Sequence, residues 1–110
     1  MFELEWTDKA KEIYTSLKAD ASKAKQWKAI RKTLKLLARN PRYPSLRAHE
    51  FASLRGPNSE KVFEAYAEQQ TPAAYRVFGY YGPDKGRITI FAITSHRSTK
   101  HFPTTVNSNG

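Results

Sequence analysis

Arg76 interrupts a run of β-forming residues, standing between Tyr75 and Val77 with Phe78, Tyr80 and Tyr81 beyond. A guanidinium in such a strand is costly unless it finds a partner or faces a cleft. One reading therefore makes Arg76 a solvent-facing residue or the ion-pair partner of Glu64 on the preceding segment. The other makes it a phosphate clamp, since its planar fork is always charged and matches phosphate oxygens. A second concentration lies further on, where His96, Arg97, Lys100 and His101 stand within six residues. Histidine is the side chain whose unperturbed pKa best suits proton transfer near neutrality. That cluster is either ordinary charged surface or the proton-transfer edge of a site.

The surrounding charge favours an anionic target. The net charge is +9, and residues 22–55 hold ten Lys or Arg against the single acid Glu50. A field of this kind attracts nucleic-acid phosphates or an acidic protein and speeds their encounter. Lys25, Lys28, Lys32, Lys35 and Arg39 recur at helical spacing, one position round from the apolar series Trp27, Ile30, Leu34 and Leu37. The spacing predicts one helix with a core-facing stripe and a basic stripe beside it, the latter suited to docking phosphates without reading sequence.

The elements that must position these groups follow from periodicity. Phe2, Leu4 and Trp6 alternate with Glu3 and Glu5, which predicts a half-buried strand. Thr7 is a suitable N-cap, and Ala10, Ile13, Tyr14 and Leu17 place a first helix over 8–19. Asn40-Pro41 stops the second helix, because the residue before proline is pushed out of the helical region. Residues 42–58 read as an irregular, proline-punctuated connection. Three strands follow at 61–67, 74–81 and 87–94, the last two joined by the glycine-rich segment 81–86. The expectation is an α+β fold in the order β-α-α-β-β-β, with a small, mainly antiparallel sheet and two helices packed on one face. One domain over 1–102 is expected, with a disordered tail at 103–110.

Other classes are excluded by composition. There is no cysteine, so disulfides and thiolate metal sites are absent. His49, His96 and His101 are too dispersed to suggest zinc without carboxylate help, and no cofactor is expected. The first residues carry no basic leader or long apolar stretch, from which a cytoplasmic, membrane-free setting is expected.

Taken together, the β-α-α-β-β-β order, Asn40-Pro41-Arg42 ending a basic helix, Leu54-Arg55-Gly56, Ala74-Tyr75-Arg76-Val77-Phe78 and Ala92-Ile93-Thr94-Ser95-His96-Arg97 resemble the RelE/ParE superfamily of bacterial toxins. The resemblance runs to about residue 102. It implies a type II toxin held by a cognate antitoxin, with the ribosome and messenger RNA as targets and metal-free RNA cleavage as the activity. That reaction needs a proton taken from the ribose 2′-hydroxyl, charge stabilised on the phosphate and a proton given to the leaving 5′-oxygen.

On the resemblance, Arg76 supports the transition state, and His101 falls about where relatives carry a proton-transferring tyrosine. His96 is a second proton-transfer candidate, and Arg97 and Lys100 hold the backbone. Well-known ribonuclease members place two lysines on the strand where this chain has Glu64 and Tyr66. Glu64 then serves as a general base or as partner to Arg76. Tyr66 stacks on a base, donates a proton or packs on the sheet, and Lys61 supplies charge. The absent lysines also suit a non-catalytic member, either a DNA gyrase poison or an inactive homologue that only binds its antitoxin.

Overall fold

The computed structural model describes residues 1–68 and 74–95. Strand β1 (Glu3–Trp6) leads directly into helix α1 (Asp8–Ala19), followed by a short 3-10 turn and helix α2 (Ala24–Arg39). A second 3-10 turn (Pro44–Leu46) precedes β2 (His49–Arg55), β3 (Lys61–Tyr66), β4 (Tyr75–Tyr81) and β5 (Arg87–Ser95). Helix α1 begins where expected because the Thr7 hydroxyl accepts the Ala10 amide at 3.2 Å, with Asp8 in the first turn. Helix α2 stops at Asn40, immediately before Pro41.

The α+β class and the helix pair are as expected, and the sheet is larger by one strand. Its order is β1-β5-β4-β3-β2, with β1 parallel to β5 and the other neighbours antiparallel. The irregular connection expected over 42–58 is corrected here, since its second half forms the edge strand β2. His49, Glu50, Ala52 and Ser53 are exposed and mostly poor β-formers, so this segment carries no local strand signal. Its hydrogen bonds come from antiparallel pairing with β3, broken by an irregularity between Glu50 and Arg55.

The two faces of the sheet have different partners. On one face Phe63, Ala65, Val77, Ile88 and Ile90 meet Ala10 and Leu17 of α1 and Ile30, Leu34 and Leu37 of α2 in the main core. On the other, Val62, Phe78, Tyr80, Phe91 and Ala92 pack with Leu54, and Phe51 closes against them. Strict alternation would put Phe91 and Ala92 on opposite faces. They share one because Phe78 pairs with Ala92 while Gly79 pairs with Ile90, which leaves Phe91 as the extra residue of a bulge.

Gly79 sits beside that bulge, under a close approach of the neighbouring strand's backbone. A Cβ there would lie 2.8 Å from the Thr89 carbonyl oxygen and 3.1 Å from Phe63 Cζ. The Thr89 oxygen is backbone and cannot turn aside. Gly79→Ala is therefore expected to destabilise the protein by about 1–3 kcal/mol. Urea unfolding would read this as a lower midpoint at unchanged slope, and an unchanged midpoint would show that the bulge relaxes freely.

Candidate functional site

Strand register builds a polar cluster on the face away from the helices. Tyr66 stands opposite Arg76, Glu64 opposite Phe78, and His49 opposite Glu64. Glu64 and Arg76 are thus diagonal neighbours on one face, within reach of each other's long side chains. Arg76 Nη1 donates to Glu64 Oε2, and both residues are buried, at 6 % and 3 % exposure. The other carboxylate oxygen, Oε1, lies 2.8 Å from His49 Nε2 and accepts the Tyr66 hydroxyl at 3.3 Å. One carboxylate therefore gathers an arginine, a histidine and a tyrosine.

His49 is the member that reaches solvent, with about half of its side chain exposed. Its Nδ1 stands 3.0 Å from the Arg47 carbonyl, and its ring lies 5.8 Å from that of Tyr66. A carbonyl and a carboxylate only accept, so the ring fills both bonds when it carries both protons. Arg47 is the residue that aims this carbonyl. It caps the second 3-10 turn with φ +49°, a left-handed conformation uncommon for a residue with a side chain. Burial pushes the Tyr66 hydroxyl above its ordinary pKa of 10.0, and the adjacent Glu64 charge adds to the effect, against the opposing pull of Arg76 and Arg47. Tyr66 is consequently a neutral donor at physiological pH.

Arg76 is held from two sides. Beyond Glu64, its guanidinium lies 5.2 Å over the Phe78 ring. Its Nε and Nη2 are buried without an acceptor. The expectation that pairs Arg76 with Glu64 describes its position, and the guanidinium is enclosed instead of presented on the surface.

The remaining expected site residues are spread more widely. Lys25, Lys28, Lys32, Lys35 and Arg39 are all exposed on α2, as the helical spacing predicts. Helix α2 packs on the opposite face of the sheet, so the basic stripe and the Glu64 cluster do not share a surface. Lys61 alternates with Phe63 and Ala65 and pairs across from Arg55, away from Glu64 and Tyr66. His96, Arg97, Lys100 and His101 lie outside the described residues, as does the tail at 103–110. Among the described residues no three His, Asp or Glu side chains are grouped as metal ligands, and no helix is long and apolar enough to cross a membrane. Comparison with protein-family profiles, curated proteins and solved structures gave no match.

His49, weighed from sequence only as a zinc ligand, is the site residue whose role sequence reasoning misses. It sits in a polar edge strand with no periodic signal, and its tie to Glu64 exists only through the β2–β3 register.

Breaking the ion pair from one side leaves a buried, uncompensated charge. Arg76→Ala should therefore cost about 3–5 kcal/mol, whereas Glu64→Leu with Arg76→Met should restore most of that loss. Thermal unfolding of both variants decides the point, and a double variant as unstable as Arg76→Ala would contradict it. Because the Tyr66 pKa is raised in the folded state, its contribution to stability is complete below pH 10 and is lost as pH climbs through the higher native value. An ultraviolet phenolate titration should show late-ionising tyrosine, one fewer in Tyr66→Phe.

Proposed function

We propose that this chain is an RNA-directed toxin of the RelE/ParE kind, cutting ribosome-bound messenger RNA without a metal. The observation that carries the reading is the half-exposed His49 held by a buried carboxylate. Glu64 fixes the ring at Nε2, the Arg47 carbonyl fixes it at Nδ1, and Arg76 fixes Glu64. A histidine held at Nε2 by a buried carboxylate, with its Nδ1 on an exposed carbonyl that a substrate oxygen can replace, is a preorganised proton donor.

The chemistry follows from those positions. The ribose 2′-oxygen attacks the neighbouring phosphorus and its proton leaves to water. The bond from phosphorus to the 5′-oxygen breaks, and His49 gives that oxygen its Nδ1 proton, the solvent-side N–H turning from the Arg47 carbonyl to the substrate while Glu64 keeps hold of Nε2. A 2′,3′-cyclic phosphate and a 5′-hydroxyl result. Positive charge for the phosphate comes from Arg47, two residues before His49 and joined to its ring through the backbone carbonyl. Glu64 and Arg76 act as positioning residues, which replaces the expected roles of Glu64 as base and Arg76 as clamp. His96 and His101 stay as further proton-transfer candidates, with Arg97 and Lys100 beside them. The α2 stripe, on the other face, suits ribosomal RNA or an acidic antitoxin segment.

The burial of Arg76 against Glu64 favours a second reading. A guanidinium already committed to a carboxylate gives little to a substrate, which suits a non-catalytic relative that poisons DNA gyrase or only binds an antitoxin.

Purified protein on programmed ribosomes separates the two. His49→Ala should slow cleavage by about 10²–10⁴-fold. Glu64→Gln keeps the shape and should lose part of that rate while shifting its pH profile. Cleavage unchanged in His49→Ala would remove the histidine from the reaction. A DNA-damage response with intact messenger RNA on induction would establish the gyrase reading, and unaffected growth would establish an inactive binder.

A further inference from the structure

His49 also borders a second feature, on the side away from Glu64. A cavity of about 340 Å³ opens at the edge of the sheet, where the chain leaves α2 and enters β2. That volume lies within the range of small-ligand sites, about 300–1,000 Å³. Its wall combines Arg42 and Arg47 with Tyr43 and Tyr81, floored by Phe63. Tyr43 and Tyr81 are 46 % and 49 % exposed, two of the few large apolar groups the described surface displays. Tyr81 is braced by Phe2 at 5.5 Å and Phe63 at 5.6 Å, so its ring is a fixed platform. Arg42 has no ion-pair partner among the described residues.

Cations and exposed rings in one cavity match a ligand that is anionic at one end and flat at the other. We propose that this cavity takes one nucleotide of a single-stranded RNA, with its phosphate on Arg42 and Arg47 and its base against Tyr43 and Tyr81. Aromatic rings stack on bases of any identity, while arginine holds the backbone. The pocket therefore grips a strand without reading it, and sets the neighbouring ribose beside His49. This deepens the RNA-directed reading and rests on it. A free nucleotide carries the same chemistry, and an acidic peptide would use the arginines but has no group for the rings.

The test uses the isolated chain, without ribosomes, in an NMR amide titration with 5′-AMP, oligo(rA)₄ and inorganic phosphate. Expected are shifts at Tyr43, Arg47, Ala48 and His49, tighter binding of oligo(rA)₄ than of 5′-AMP, and the weakest binding by phosphate. Tyr43→Ala should weaken oligo(rA)₄ by about tenfold or more, the size of one lost stacked base, and Tyr43→Phe should retain it. Arg42→Ala should lower the slope of log affinity against log salt by about 0.7, one phosphate contact on a single strand. Lys25→Ala with Lys28→Ala, near the start of α2 and outside the cavity lining, should leave the cavity shifts in place.

Binding of 5′-AMP as tight as oligo(rA)₄ would make this a free-nucleotide site and overturn the proposal. Phosphate binding as tight as 5′-AMP would overturn the stacking role, and shifts confined to α2 would overturn the site. A protein that binds oligo(rA)₄ here yet cuts no messenger RNA supports the pocket and defeats only the nuclease reading.

Discussion

A carboxylate buried in a sheet is stable only if every charge it faces is answered, and Glu64 meets that condition with three donors. Arg76 takes one oxygen, and His49 and Tyr66 share the other. Removing a carboxylate of this size from water costs several kcal/mol unless its partners are in place. The pairing therefore constrains the register of β2, β3 and β4 together. A slip of one residue would turn Glu64 into the helix-packed core and leave Arg76 alone on the opposite face.

The same constraint divides the molecule into two working surfaces. The helices cover one face of the sheet and carry the lysine stripe outward, while the polar cluster lies on the other face with the apolar set around Phe78 and Phe91. A strongly basic chain of this size is easily imagined as one continuous positive groove. The sheet instead keeps the broad electrostatic surface of α2 apart from the ordered histidine. The basic stripe and the ordered histidine thus lie on different sides of the sheet, and Arg42, Arg47 and His49 line a cavity at the β2 edge.

The geometry around His49 shows how a modest site is assembled from few parts. A 3-10 turn ending in a left-handed arginine aims one carbonyl, and a neighbouring strand aims one carboxylate. Neither acceptor is remarkable alone, but between them they fix both nitrogens of a ring that still faces solvent. Arg76, joined to the half-exposed His49 only through Glu64, contributes by holding the carboxylate.

Local order decided what the sequence by itself determined. The two helices, the cap at Thr7, the stop at Asn40-Pro41 and the strands around Val62, Val77 and Ile90 are written in spacing over a few residues, as is the exposed stripe on α2. The possibility of a Glu64–Arg76 pair was also legible, since adjacent strands bring alternate residues to one face. Only the tertiary structure decided that β2 exists, because its polar residues gain strand geometry from the ladder to β3 and not from their own preferences. With β2 came His49, tied to a carboxylate fifteen positions later in the chain. The face on which each charge lies was equally beyond local reading, since it depends on which side of the sheet the helices bury.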